Sequence, residues 1–290
     1  RGSTVRVAVI TMLLMSATPW PGRSGPSTSP RPTPGQLKAR CLAGVHQACA
    51  ELANRHLVGD GVQKSHSRAQ ELLQPGVAAE HPTSLAIQGF LLFRGEGIEP
   101  DPWHAQELLT RALEKGETQA GRALAYLFLD ATKRHPDYRV RKSGIFRARS
   151  AWAVSCKGGD LQSCREGADY SYSKHGAPAD AALITAFFAR GAELGDVQSM
   201  AKAAETFDLL HGVFESALRW RRKAAAAGHG KSSTRIPRLE RLVAHEKSPG
   251  IKLFPDLQEE HRVKVERLRN ALPSLLDKYG RDLLALLQRE

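Results

Sequence analysis

The 290-residue chain lacks the short motifs on which most catalytic sites depend. It has no paired-histidine metalloprotease helix, no phosphate-cradling glycine loop and no Gly-x-Ser-x-Gly nucleophile elbow. Its eleven histidines, among them His56, His81, His104 and His175, are scattered and share no metal-ligand spacing. No catalytic residue, metal ligand or cofactor is therefore expected. No apolar run is long enough to cross a bilayer as a helix. Acidic residues are in deficit, 30 against 42 Lys and Arg, giving a formal charge of +12. That excess favours acidic partners or surfaces, such as nucleic acid, anionic lipid or cell-wall polymer, without choosing among them. With 41% apolar residues the chain can build a core, which excludes global disorder.

The apolar run that does occur is short. Arg1 and Arg6 precede Val7–Met15, which ends at Ser16-Ala17-Thr18-Pro19. A basic flank, a brief apolar stretch and small residues resemble a secretory signal peptide, assigned to residues 1–17. No lipid-attachment cysteine follows it: the first is Cys41, preceded by Lys38 and Arg40. Residues 18–35, rich in Pro, Ser and Gly, read as an exposed linker.

Beyond the linker the chain repeats itself. Gly59-Asp60-Gly61-Val62 recurs as Gly95-Glu96-Gly97-Ile98, and Ala69-Gln70-Glu71-Leu72-Leu73 as Ala105-Gln106-Glu107-Leu108-Leu109, both at an offset of 36. One offset shared by a loop and the segment after it marks an internal repeat. Ala86, Gly89, Phe90 and Phe93 lie on one helical face, and Gly95 and Gly97 supply the positive-φ reversal after it. Asp101 and Ser65 are in register as N-caps, and Pro102 suits the first helical position. Ala105, Leu108, Leu109, Ala112 and Leu113 form the apolar stripe of the next helix, which Gly116 closes. Copies are expected at approximately 46–81, 82–117, 118–160, 161–196 and 197–230, behind a half-repeat at 36–45. The third copy gains seven residues within Thr132–Gly144. With that shift Gly116 maps to Gly159 and then Gly195, and Asp101 to a third N-cap, Asp180. Pro75 is expected to interrupt its helix. The fold class is all-α: an α-solenoid of about five helix-turn-helix repeats (an α/α superhelix) with a helical C-terminal extension.

These residues resemble the SEL-one-like repeat (SLR), a relative of the tetratricopeptide repeat. Its motif runs Leu-Gly-x-x-Tyr, Gly-x-Gly-Val, then Ala-x-x-Trp-(Tyr)-x-Lys-Ala-Ala-x-x-Gly. Gly59/Gly61/Val62 and Gly95/Gly97/Ile98 match the turn, and Ala217 to Gly228, with Trp220, Lys223, Ala224 and Ala225, matches the second helix. The period of 36 separates it from ordinary tetratricopeptide repeats of 34. The resemblance covers about two-thirds of the chain, residues 36–230. It departs at Pro75, at the insertion and at the fifth turn, which lacks Gly-x-Gly.

Cys41 and Cys49 are eight apart, as are Cys156 and Cys164, and the two pairs are in phase with the repeat. A short turn between antiparallel helices can bring such positions within disulfide range, whereas four buried thiols remain the alternative reading. A shared zinc ion is disfavoured, because three repeats separate the pairs. The SLR resemblance extends to a cysteine-rich secreted subgroup with Cys-x7-Cys bridges between successive helices. It implies disulfides here and an oxidising compartment.

The insertion is the least repeat-like part of the array, is expected as a basic loop, and carries the candidate partner-binding residues Arg134, Arg139, Arg141, Lys142, Arg147 and Arg149. Lys133 adds to them and Asp137 is the single acid. Arg219, Arg221, Arg222 and Lys223 form a second basic cluster. An unknown protein or an anionic cell-envelope component fits as partner, whereas a secreted disulfide protein seldom meets nucleic acid. Ser171-x-x-Lys174, Ser199-x-x-Lys202 and Lys142-Ser143-Gly144 echo the short motifs of serine β-lactamases and penicillin-binding proteins. Some cysteine-rich SLR proteins are described in those terms, which leaves weak hydrolase activity as the alternative function. Residues 231–290 are expected to form a helix through Leu239, Leu242 and Val243, stopped at Ser248-Pro249-Gly250. Two more follow, at about Asp256–Asn270 and from Pro273 onward. The last, with Leu275, Leu276, Tyr279, Leu283, Leu284, Leu286 and Leu287, would cap the array or make a homodimer of an otherwise monomeric chain.

Overall fold

Helix hairpins arise here because several helices start at a side chain that caps them and several end at a glycine whose backbone can reverse. A computed structural model describes residues 31–172, 181–211, 213–247 and 255–287. Among them every regular element is helical, fourteen in all. The expected signal segment, Lys174, His175, Asp180 and Ser248-Pro249-Gly250 lie outside the described residues. Two compact units divide between Ala120 and Gly121.

The first unit contains α1 (Pro34–Leu42), α2 (His46–Val58), α3 (His66–Ala78), α4 (Pro82–Arg94) and α5 (Pro102–Glu114). A capping box starts α1: Gln36 N donates to Thr33 Oγ1 and Thr33 N to Gln36 Oε1. The half-repeat thus begins two residues before Gln36. Ser65 Oγ accepts from Arg68 N (3.2 Å), and Asp101 Oδ1 accepts from Trp103 N and His104 N (3.1 and 3.0 Å). Gly59 and Gly95 close α2 and α4 at φ 83° and 67°, the left-handed conformation that turns the chain back. Successive helices then pack in chain order. Ala50, Ala53, Ala69, Leu73, Ile87 and Leu91 form their buried core. Gly89 lets α4 settle on α5: a Cβ there would meet Leu109 Cγ at 2.8 Å and the Ala105 carbonyl at 3.1 Å.

Pro75 does not interrupt α3, contrary to the expectation from sequence. It removes one N–H, and the turn beyond closes normally, with Ala79 N donating to Pro75 O (3.1 Å) and His81 N to Gly76 O (2.8 Å). Gly44 and Gly116 end second helices with positive φ, and Glu80 takes the same conformation (φ 54°) in the copy between them. Its carboxylate pairs with Arg111 and with Lys115 (3.0 Å).

The second unit contains α6 (Ala120–Thr132), whose first residue marks the boundary, α7 (Tyr138–Lys157), α8 (Leu161–Tyr172) and α9 (Ala181–Glu193). It continues with α10 (Val197–Leu209), α11 (Phe214–Ala226), the single turn α12 (Gly230–Ser233), α13 (Ile236–Lys247) and α14 (Pro255–Leu287). Helices α7 to α11 pack in succession around Trp152, Leu183, Phe187, Ala203 and Ala217. Trp152 meets Tyr126 edge-on (5.8 Å between ring centres) and Tyr170 at 5.3 Å.

Two expectations require correction in this unit. The seven-residue insertion is helical rather than a loop: α7 has 20 residues where α5 has 13. Asp137 caps it, accepting from Arg139 N at 2.7 Å. Gly144 falls inside the helix, where a Cβ would collide with Thr132. The two C-terminal helices are one of 33 residues, running through Pro273. Proline costs it one hydrogen bond, and the helix continues beyond that point, where it packs on other helices. Tyr279 lies 5.6 Å from Phe146, Gly280 abuts Val154, and Asp277 pairs with Lys157. The far half of α14 therefore lies along α7 and α9, the second helices of two copies, while α12 and α13 cover α11 at the end of the array. The side chains of Leu284, Leu286 and Leu287 lie outside the described residues.

Both cysteine pairs are disulfides, Cys41–Cys49 joining α1 to α2 and Cys156–Cys164 joining α7 to α8, with Cα separations of 4.7 and 4.6 Å. Closing loops this short stabilises by about 2–3 kcal/mol each in the chain-entropy account. Replacing Cys156 and Cys164 together by Ser should lower the unfolding temperature by roughly 5–10 °C. Thiol reductant should bring the wild-type chain down by at least as much. Equal melting of variant and wild type under non-reducing conditions would show that the bridge does not form.

Candidate functional site

The basic residues expected to form one binding loop are dispersed by the extension of α7. Arg134, Arg139 and Lys142 are exposed. Arg141 folds back over the Tyr138 ring and donates to the His135 and Pro136 carbonyls (2.5 and 2.8 Å), so it braces the turn. Arg147 is half-buried over Phe128, and Arg149 is only 8% exposed. Seven added residues make two helical turns and point the side chains in several directions. Of the six candidates, Arg134, Arg139 and Lys142 are thus the ones open to a partner on this surface, while Arg149 is buried.

Ser199 is held by the N-cap of its helix. It is buried, its N–H and hydroxyl both donate to Asp196 (2.8 and 2.6 Å), and Asp196 starts α10. Ser163 repeats the arrangement against Asp160 at 2.6 Å, one period earlier. Lys202 is exposed and pairs with Glu205 (3.5 Å). Ser171 is fully buried.

The second basic cluster assembles a site. Helix periodicity sends Arg221 inward, where it is 4% exposed; burial and the nearby Arg235 lower its pKa. Arg219, Arg222 and Lys223 face outward. Arg222 pairs with Glu240 of α13 (2.7 Å). Arg219 and Lys223 lie 6.0 and 4.6 Å from the Trp220 ring centre, cations over an aromatic face. They line a groove of about 1040 Å³ between α9, α11, α13 and α14. Its apolar surface comes from Ala186, Leu218, Trp220, Val243, Leu268 and Leu272. Arg190 also lines it, pairing with Glu193 (3.2 Å) and donating to the Lys157 carbonyl (3.1 Å). The sequence pointed to the cations and to Trp220; it did not reveal the groove, because α14 supplies one wall.

A separate buried cluster spans α6 and α8. Gln162 donates to Glu166 (2.9 Å), Arg122 lies 3.7 Å from Asp160, and the Tyr126 phenol faces Glu166. Burial pushes the Glu166 carboxyl up, against the opposing pull of Gln162 and Arg122. Burial also acts to raise Asp196, but hydrogen bonds from Arg165 and Ser199 hold it below its ordinary range. Among the described residues no three His, Cys, Asp or Glu are grouped to hold a metal, and no helix is long and apolar enough to cross a membrane.

Two solved structures are similar to this chain. One is a Sel1 repeat protein from Oxalobacter formigenes, with 19% identity over 79% of this chain and 89% of that one, at a TM-score of 0.47. The other is c5321, a protective antigen present in uropathogenic Escherichia coli strains and displaying an SLR fold. It shares 15% identity over 88% of this chain and 58% of its own length, at a TM-score of 0.49. No family model matches the chain, and neither does any curated protein. By its own period, glycine turns and stacked hairpins the chain is an all-α helical-repeat protein that resembles the SEL-one-like repeats.

Glu166 yields a pH test. A carboxyl with a raised folded pKa contributes stability that is present below about 4.5, its ordinary value, and lost as pH rises through the folded pKa. Glu166→Gln should therefore raise the unfolding temperature at neutral pH, with the gain shrinking towards pH 4.5. A variant less stable than wild type at neutral pH would mean that the charged carboxylate is the favoured form.

Proposed function

We propose that this chain is a repeat scaffold that holds a partner protein by surface presentation, without chemistry of its own, in the periplasm or outside the cell. The observation that carries the reading is the groove against the last repeat, which offers an aromatic floor and cations on rigid helices. An arrangement of that kind suits recognition. Two disulfides support an oxidising compartment, and residues 1–17 would serve as the export signal. Residues 18–35 would then be a linker, 36–230 the repeat array, and 231–290 its helical extension. The burial of Ser171 and the hydrogen bonds that tie Ser199 to Asp196 speak against the β-lactamase-like alternative.

Photo-crosslinking of the full-length chain in cells, with probes at the groove-lining Ser216 and the exposed Lys142, tests this. Discrete protein adducts are expected. Adducts to polysaccharide only would replace the protein partner by an envelope polymer. The purified chain should also show no β-lactam turnover that Ser171→Ala or Ser199→Ala abolishes; serine-dependent turnover would overturn the scaffold reading.

A further inference from the structure

The groove between α9, α11, α13 and α14 has a charge pattern that identifies the class of segment it takes. Its acids are committed internally: Glu193 to Arg190 and Glu240 to Arg222, while Glu215 also has its own interaction. Arg219 and Lys223 are different. Among the described residues neither forms an ion pair, and both are held over the Trp220 ring at the groove wall. A cation on an aromatic face keeps donors to spare, since the ring uses none of them. Beside these two lie the half-buried Leu268 and Leu272 and the largely buried Leu218, which make the groove lining apolar. We propose that the groove binds an acidic, amphipathic peptide segment of a partner protein. Apolar residues of that segment would sit on the Trp220–Leu272 strip, and its carboxylates would pair with Arg219 and Lys223. The proposal rests on the scaffold reading above and names where and what that scaffold grips.

Alternative occupants fit the charges less well. The chain's own first 35 residues contain no Asp or Glu, but four arginines. Residues 248–254 likewise carry a lysine and no acid. Neither can neutralise the two cations. A nucleic-acid backbone would leave the leucine strip facing phosphates, and a flat lipid surface could not enter a cleft with walls on several sides. At about 1040 Å³ the groove also reaches the upper end of small-molecule pockets, a size suited to several side chains at once.

The test uses the full-length chain and a displayed library of random peptides. Selected peptides are expected to combine Asp or Glu with apolar residues at helical spacing. Their binding, read by fluorescence anisotropy of the synthesised peptides, should weaken about tenfold or more in Arg219→Glu/Lys223→Glu. It should weaken again as salt is raised. Both side chains are exposed, so the double variant should fold, which its melting temperature will verify. Lys38→Glu/Arg40→Glu, an equal charge change on exposed residues of the other unit, should leave binding within about twofold. Selected peptides that bind both double variants equally would overturn the groove assignment while leaving a protein-binding scaffold in place. Failure to select any peptide would count against both. Displacement of the peptide by phosphatidylglycerol vesicles or by an oligonucleotide at lower concentration would replace it with a membrane or nucleic-acid site.

Discussion

Close approach of the two helices in a hairpin is the constraint on which the structure depends. Neighbouring helices can bury a face only if their backbones come near enough for short side chains to fill the gap, and alanine-rich stripes make that distance small. Gly89 against the Ala105 carbonyl shows the limiting case in the first unit, and Gly121 against the Ala151 carbonyl (2.7 Å for an added Cβ) shows it in the second. Ala50, Ala53, Ala69, Ala203, Ala204, Ala217 and Ala224 are all buried for the same reason. A few large residues are buried among them, Trp152, Phe187 and Trp220.

Much of the architecture was legible because it is written in local chemistry. Asp101, Ser65 and Asp196 cap helices because of what their side chains can accept, and Gly59 and Gly95 turn because they lack a Cβ; no distant contact is needed. What escaped were the places where tertiary packing overrode a local rule. Pro75 and Pro273 were read as breaks, yet each removes only one donor from a helix held by neighbours. The insertion was read as a loop because its glycine and charges look solvent-exposed in one dimension. Asp137 as a cap and Gly144 as a contact residue for Thr132 make it helical. Leu194 falls in the short link after α9 and stays partly exposed although apolar, a reminder that repeat position governs burial more than residue type.

The site was legible only in part, for a related reason. Charge and the Trp220 motif position marked α11, but a linear reading counted Arg221 with its neighbours, whereas helix geometry turns it into the core. The groove needs four separate helices, and one wall belongs to a helix whose length was itself misjudged. Sites built from one helix can be read from spacing; sites built between helices need the packing first.

Helix α14 also changes what kind of body the second unit is. A repeat array linked only through adjacent members behaves as a spring, each joint yielding independently under load. By lying along α7 and α9 together, α14 ties the second helices of two successive copies with one further member, as a diagonal does in a truss. Tension applied across those copies is then carried along the axis of a 33-residue helix rather than by bending at the joints, and the copies must yield together.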